Sequence, residues 1–270
     1  MNVDRIGALI GKELREFRSS PAAIVPVVLV VVLCTTLPFL IVVLIPALTG
    51  QPLTADRMIL QIVAAARTRT PALASLPPLG AAQAFLFQQF LLLFLVAPIV
   101  GAVSLAAYSV VGEKQGRTLE PLLTTPLSTG EMLIAKVLAS FLPSLAIELA
   151  GLAVYLLLAG ALAAPGVAAA LVNARTAVLV GLVGPFASLT ALQVTIAVSS
   201  RVNDPRSAQQ IAVLIVVPLV VLLVGQIAGA FVVTTGLLAA VAAALAAAWG
   251  LLILFSVALF ERETILTRWK

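Results

Sequence analysis

Between Ser207 and Phe260 the chain runs for 54 residues without a single Asp, Glu, Lys or Arg. One helix of that length would rise roughly 80 Å, against a bilayer core of ~30 Å, so the run has to turn and cross twice. Residues 19–55, 70–112, 149–174 and 176–200 are equally free of charge. Only 10% of the 270 residues are charged and 62% are apolar, where a soluble globular chain carries about a quarter charged. Too little polar surface exists to face water. The runs are uniformly apolar, lacking the two-residue alternation of an outer-membrane barrel, so they are helices. The fold class expected is all-α integral membrane, with residues 1–270 forming a single transmembrane domain.

Six spans fit the apolar pattern: Ile24–Ile45, Ala84–Val111, Val137–Gly160, Thr176–Ser199, Ile211–Phe231 and Leu237–Phe260. Each is long enough to cross with some tilt. An even number puts both termini on one side. The N-terminus, the 112–136 loop, the fourth–fifth loop and the C-terminus together hold twelve Lys and Arg, while 46–83, 161–175 and 232–236 hold four. Lys and Arg mark the cytoplasmic side, so both termini are expected there, with 46–83 extracytoplasmic. The first apolar run is too long for a secretory signal and reads as an uncleaved span. Within 46–83 the pattern predicts a helix over 55–66 after Thr54, with Ile59, Ile62, Val63 and Ala66 as its apolar stripe.

Composition also removes function classes. There is no histidine, which excludes His-based acid–base catalysis and His-ligated metals. The one cysteine, Cys34, forms no intrachain disulfide and no Cys-rich metal site. The net charge of +5 belongs to membrane orientation and not to a nucleic-acid partner.

Residues 1–20 predict an amphipathic helix lying at the membrane interface, with Val3, Ile6, Ile10, Leu14 and Phe17 on one face and Pro21 ending it. Gly7, Gly11, Lys12 and Glu13 mimic a P-loop, but one residue is missing between the glycines and Glu13 stands where Ser or Thr should bind magnesium. The 112–136 segment carries more information. Thr118 suits an N-cap, Leu119–Leu123 make a turn and a half of helix, and Pro126 stops it. Ser128 and Glu131 then form a capping box that opens the third span. Leu119, Leu122 and Leu123 give the short helix an apolar face flanked by charge, which fits a protein partner or packing beneath the chain's own helix ends. In the next loop on that side, Asp204 caps the fifth span with Pro205 at its first position, and Arg201 and Arg206 mark the boundary.

Three segments, KELREFRSSP, GEKQGRTLEPLLTTPLSTGEMLIAK and SSRVNDPRSAQQIAVLIVVP, resemble the permease subunit of ABC-2 type transporters, the type V exporter fold. They stand in the same order and flank the same spans. The resemblance implies that residues 3–18 are the connecting (elbow) helix. It implies that Glu113, Arg117, Thr118, Leu119, Glu120, Leu122 and Leu123 dock a separate ABC ATPase, present in two copies. ATP and magnesium would then sit on that subunit, with no cofactor on this chain. Six spans are few for a closed path, so a second permease copy is expected, as a homodimer or with a paralogue. The short Val232–Gly236 connection and the long first–second loop depart from many family members.

Inside the spans the one deep ionisable residue is Glu148. A carboxylate there costs about 2.5–3.5 kcal/mol on insertion scales and usually faces a cavity or a polar partner. Gln88, Gln89, Gln193 and Gln226 could supply one, and Glu148, Gln89 and Gln193 are the candidate path or gate residues. The expected function is an exporter permease in the cell membrane, moving an amphiphilic or small molecule by alternating access. Two alternatives are a membrane enzyme acting on lipid and a secondary transporter. The first needs clustered acids or Cys at the interface and the second inverted repeats; the sequence shows neither.

Overall fold

The computed structural model describes residues 3–18, 20–68, 70–115, 129–199, 206–207, 209–210, 214, 216–227 and 233–259. Among these every element is helical and none is a strand. Five helices are long and apolar enough to cross a membrane: Ile24–Thr49, Pro78–Ser109, Gly130–Leu162, Ala174–Ser199 and Thr235–Leu254. They correspond to the first four expected spans and the sixth. Within the expected fifth, the described helix is Val216–Ile227, and outside it only Leu214 is described.

Two starts differ from the sequence expectation by more than one helical turn. The second span starts at Pro78, not Ala84, because Pro77 is extended and Pro78 takes the first helical position, where a missing N–H costs nothing. The third helix starts at Thr129, where the expected cap at Ser128 puts its first residue but eight residues ahead of the expected span at Val137, and runs 34 residues to Leu162. Charged Glu131 and Lys136 are buried within it, so charge does not mark where this helix begins.

The second span is the hub, packed against the first, third and fourth spans and against Val216–Ile227. Phe39 of the first span, Phe87 and Phe94 of the second and Tyr155 of the third join in one aromatic cluster, with centroid separations of 4.9 to 5.7 Å. The Tyr155 hydroxyl donates to the carbonyl of Phe87 at 2.9 Å. That bond gives the ring's one polar group a partner inside an apolar core. The sixth span lies along the fourth, where Trp249 approaches Phe186 and the Thr190 hydroxyl reaches the Leu245 carbonyl at 3.2 Å.

Proline explains where the spans stop being α-helical. The first contains a π turn at Leu40–Leu44 and the fourth another at Leu179–Val183. In each case the wide turn closes one residue before a proline, Pro46 or Pro185. A proline ring clashes with the carbonyl four residues back, and widening the turn by one residue moves that carbonyl aside. The second span narrows instead, to a 3-10 turn at Leu93–Leu95, ahead of Pro98.

The connection from the first to the second span is ordered by local bonds. Gly50, in the left-handed conformation at φ 66°, ends the first span. The next full helix is Arg57–Arg67, capped by Asp56 and not by Thr54: the Asp56 carboxylate accepts from the N–H groups of Met58 and Ile59. Val63 is buried and Ile59, Ile62 and Ala66 are half-buried, so the expected stripe does face the protein. The Arg67 guanidinium donates to the carbonyls of Ala74 and Leu76, folding the segment back onto the start of the second span.

The N-terminal helix, Val3–Arg18, is seated on the end of the bundle. Ile6 and Leu9 pack with Ala102, Ala106, Met132, Leu133, Leu192 and Ile196, and Phe17 packs with Leu105 and Ala139. Its buried face is therefore Ile6, Leu9, Glu13 and Phe17. The expected stripe is corrected by a partial rotation: Leu14 is exposed, and Glu13 is completely buried.

Candidate functional site

The third helix presents one face inward at spacings of four, four, three, four and four residues: Ser140, Ser144, Glu148, Gly151, Tyr155 and Ala159 are all buried. Leu142, Leu149, Val154 and Leu157 on the other side are exposed, as a lipid-facing surface requires. Small residues on the inward face bring neighbours close. A Cβ placed on Gly151 would lie 3.0 Å from the Phe94 ring, and one on Gly101 would lie 3.0 Å from the Ser144 hydroxyl. Glu148 stands near the middle of this helix with no exposed surface.

Its carboxylate lies against the fourth span at Gly184. A Cβ on Gly184 would collide with Oε1 of Glu148 and come within 3.2 Å of Oε2. Only the absence of a side chain at 184 makes room for the carboxylate. Neither oxygen has a hydrogen-bond partner among the described residues. Gly184 is also the residue that follows the π turn, and its N–H goes to the Leu179 carbonyl. The carbonyl of Val180 thereby loses its α-helical donor, and Pro185 has no N–H to offer that of Gly181. Pro143, five residues before Glu148, leaves the carbonyl of Ala139 without its α-helical donor, although the third helix stays α-helical through it. A buried acid thus sits against the fourth span at the point where that span departs from regular helix.

The four glutamines do not satisfy it. Gln88 donates to the Thr176 hydroxyl at 3.1 Å and accepts from Asn173 at 2.8 Å. Gln226 accepts from Arg175 at 3.1 Å. Gln89 and Gln193 are buried, and each has a side-chain oxygen with no donor among the described residues. They do not converge on Glu148 into one site. Gln89 lies near the Phe87–Tyr155 bond, and Tyr155 is roughly 10 Å along the helix from Glu148. Gln193 is nine residues beyond Gly184, roughly 14 Å towards the other end. The three candidates therefore mark three depths of the bundle interior, each with an unmet acceptor.

Of the residues expected to dock a partner, Glu113 lies on the helix Val96–Gln115. Arg117, Thr118, Leu119, Glu120, Leu122 and Leu123 lie outside the described residues, as do Arg201 and Asp204. Arg206 is described and exposed.

Sequence reasoning missed a second buried acid. Lys136 donates to Oε1 of Glu13 at 3.0 Å and to the Ser109 hydroxyl at 2.8 Å, and all three are nearly or fully buried. The signal was present: Glu13 falls four residues after Leu9 and four before Phe17, on one helical face with them.

A family model described as "ABC-2 family transporter protein" matches residues 8–259. The chain belongs to the ABC-2 transporter family. This ABC-2 protein is therefore a multi-pass membrane transporter component, and the matched range takes in all five candidate spans, Glu148 and Glu13. Permeases of the family typically work with an ATPase subunit. Among the curated proteins and the solved structures nothing matches this ABC-2 chain.

The Gly184 contact makes a specific expectation. Gly184→Ala should lower the thermal unfolding midpoint of the detergent-solubilised protein, as overpacking by one methyl costs about 1–3 kcal/mol. The same change in a Glu148→Ala background should cost much less, because the carboxylate it collides with is gone. Equal losses in the two backgrounds would show that Gly184 and Glu148 do not meet.

Proposed function

We propose that this chain is the permease subunit of an ATP-driven ABC-2 exporter and that its transport path follows the seam between the third and fourth spans at Glu148. The observation that carries the reading is the fully buried carboxylate of Glu148, without a hydrogen-bond partner among the described residues and set against the π turn of the fourth span, inside a chain of this transporter family. An ionisable group kept at mid-membrane depth is costly and is retained where it serves a path or gate. The interior acceptors on Gln89 and Gln193 extend the same character above and below it. A substrate supplying donors or positive charge, on an amphiphilic body, suits such a path.

In this reading the chain crosses six times with both termini cytoplasmic, and Val3–Arg18 is the elbow helix. The segment Thr118–Thr125 docks an ATPase that binds ATP and magnesium, with Arg201, Asp204 and Arg206 in a second cytoplasmic loop. Two permease copies and two ATPase copies complete the assembly. Closure of the ATPases on ATP pulls the cytoplasmic ends together, and the seam opens alternately to the two sides.

Docking is tested by Leu122→Asp and Leu123→Asp. Each should abolish co-purification of the ATPase subunit while leaving the permease folded and membrane-inserted, since a charge on the apolar face removes the docking surface. Unchanged capture by both variants would refute the assignment.

Orientation is tested separately with single cysteines in a Cys34→Ser background. Cysteines at Thr68 and Arg175 should react with an impermeant maleimide in intact cells, and cysteines at Gln115 and Asn203 only after lysis. Labelling of the second pair in intact cells would reverse the topology.

A further inference from the structure

Three helices meet at Lys136. It lies on the third helix seven residues after Thr129, and Ser109 lies at the end of the second span. These two residues flank the 112–136 segment from its two sides. Glu13 comes from the N-terminal helix, 123 positions away in sequence from Lys136. Lys136 is 3% exposed and Glu13 is 0% exposed, so the pair is desolvated and the attraction is little screened. Yet a buried ion pair is weak grounds for a stability role, because apolar residues of similar size often do as well. Here the arrangement is also incomplete, since Oε2 of Glu13 has no partner among the described residues. Ile6, Leu9 and Phe17 already supply apolar contact on the same face. What the pair adds beyond packing is register: it fixes one position of the N-terminal helix against the base of the second–third hairpin, the best-attested use of such groups.

We infer that Glu13, Lys136 and Ser109 form a latch that makes the N-terminal helix and the inner bases of the second and third spans move as one body. These are positioning residues and touch no substrate. The inference rests on the reading of the chain as an ATP-driven permease for its purpose, because a push received between residues 112 and 136 would then be passed to the N-terminal helix without slip. Lys12 offers only a partial substitute: its Nζ is 4.0 Å from the same Glu13 oxygen and 3.4 Å from Glu16, on the exposed side of the helix.

The test measures the distance between nitroxides at Ala8 and Leu142, both exposed and the second on the base side of Pro143, in a Cys34→Ser background in lipid nanodiscs. The native latch should give one narrow distance distribution. Glu13→Gln and Lys136→Met should each broaden it and add a longer component, and the reversed pair Glu13→Lys with Lys136→Glu should narrow it again. If Lys136→Met does not fold, Glu13→Gln, which keeps size and a hydrogen bond, decides. With the ATPase subunit present and ATP trapped by vanadate, the native distance should move by less than about 2 Å, the scale of small helix shifts. A narrow distribution in the single variants, or a larger native shift on trapping, would overturn the latch. Failure of the ATPase to bind would instead count against the driven-permease reading, while the nanodisc comparison without ATPase would still decide the latch.

Discussion

No water in the bilayer core can satisfy a backbone N–H or carbonyl, so each span must remain helical or repair every departure from it internally. That constraint gives the departures in this chain their meaning. The π turns at Leu40–Leu44 and Leu179–Val183 and the 3-10 turn at Leu93–Leu95 each precede a proline, and Pro143 stands inside the third helix. The interruptions of the second and fourth spans fall on the elements that surround Glu148, through Phe94 against Gly151 and Gly184 against the carboxylate. A transporter must deform somewhere, and these are the places where its helices already hold less regular bonding.

Among the described residues two acids are fully buried, Glu13 and Glu148, and they obey the same electrostatics with opposite outcomes. Glu13 is met by an ammonium and fixes a helix at one end of the bundle. Glu148 has no donor among the described residues and lies against a bare glycine. A paired buried charge gives position, whereas an unpaired one leaves an interaction for something not yet bound. The division suits a permease whose base must be rigid and whose middle must accept a passing molecule.

Five of the six expected spans were legible because a long run without charge has only one stable environment, and membership of the ABC-2 family followed from three short segments in the right order. Helix starts were less legible. Pro77–Pro78 reads as a loop but begins a helix, and the burial of Glu131 and Lys136 was not legible, since it depends on other helices. Asp56 outcompeted Thr54 as a cap because its carboxylate reaches two N–H groups. The depth of Glu148 could be counted along the sequence. Its seat could not, because Gly184 lies 36 positions away and the contact exists only once the third and fourth spans cross. Glu13 entered the sequence reading only as the residue that spoils a P-loop match, and its ion-pair partner Lys136 lies 123 positions away. The residues expected to dock an ATPase lie almost wholly outside the described chain, so their reading still rests on the sequence.

The central claim is that the Glu148 carboxylate takes part in transport and does not merely fill space. The direct measurement is ATP-driven uptake of an amphiphilic cation, tetraphenylphosphonium, into inside-out vesicles carrying the permease and its ATPase, comparing native protein with Glu148→Gln and Glu148→Ala across pH. Glu148→Gln keeps shape and hydrogen bonding but cannot carry charge. The account predicts that it folds, binds the ATPase and loses most of the uptake together with its pH dependence. Native uptake and an unchanged pH profile in the folded Glu148→Gln protein would contradict it and leave Glu148 as a packing residue.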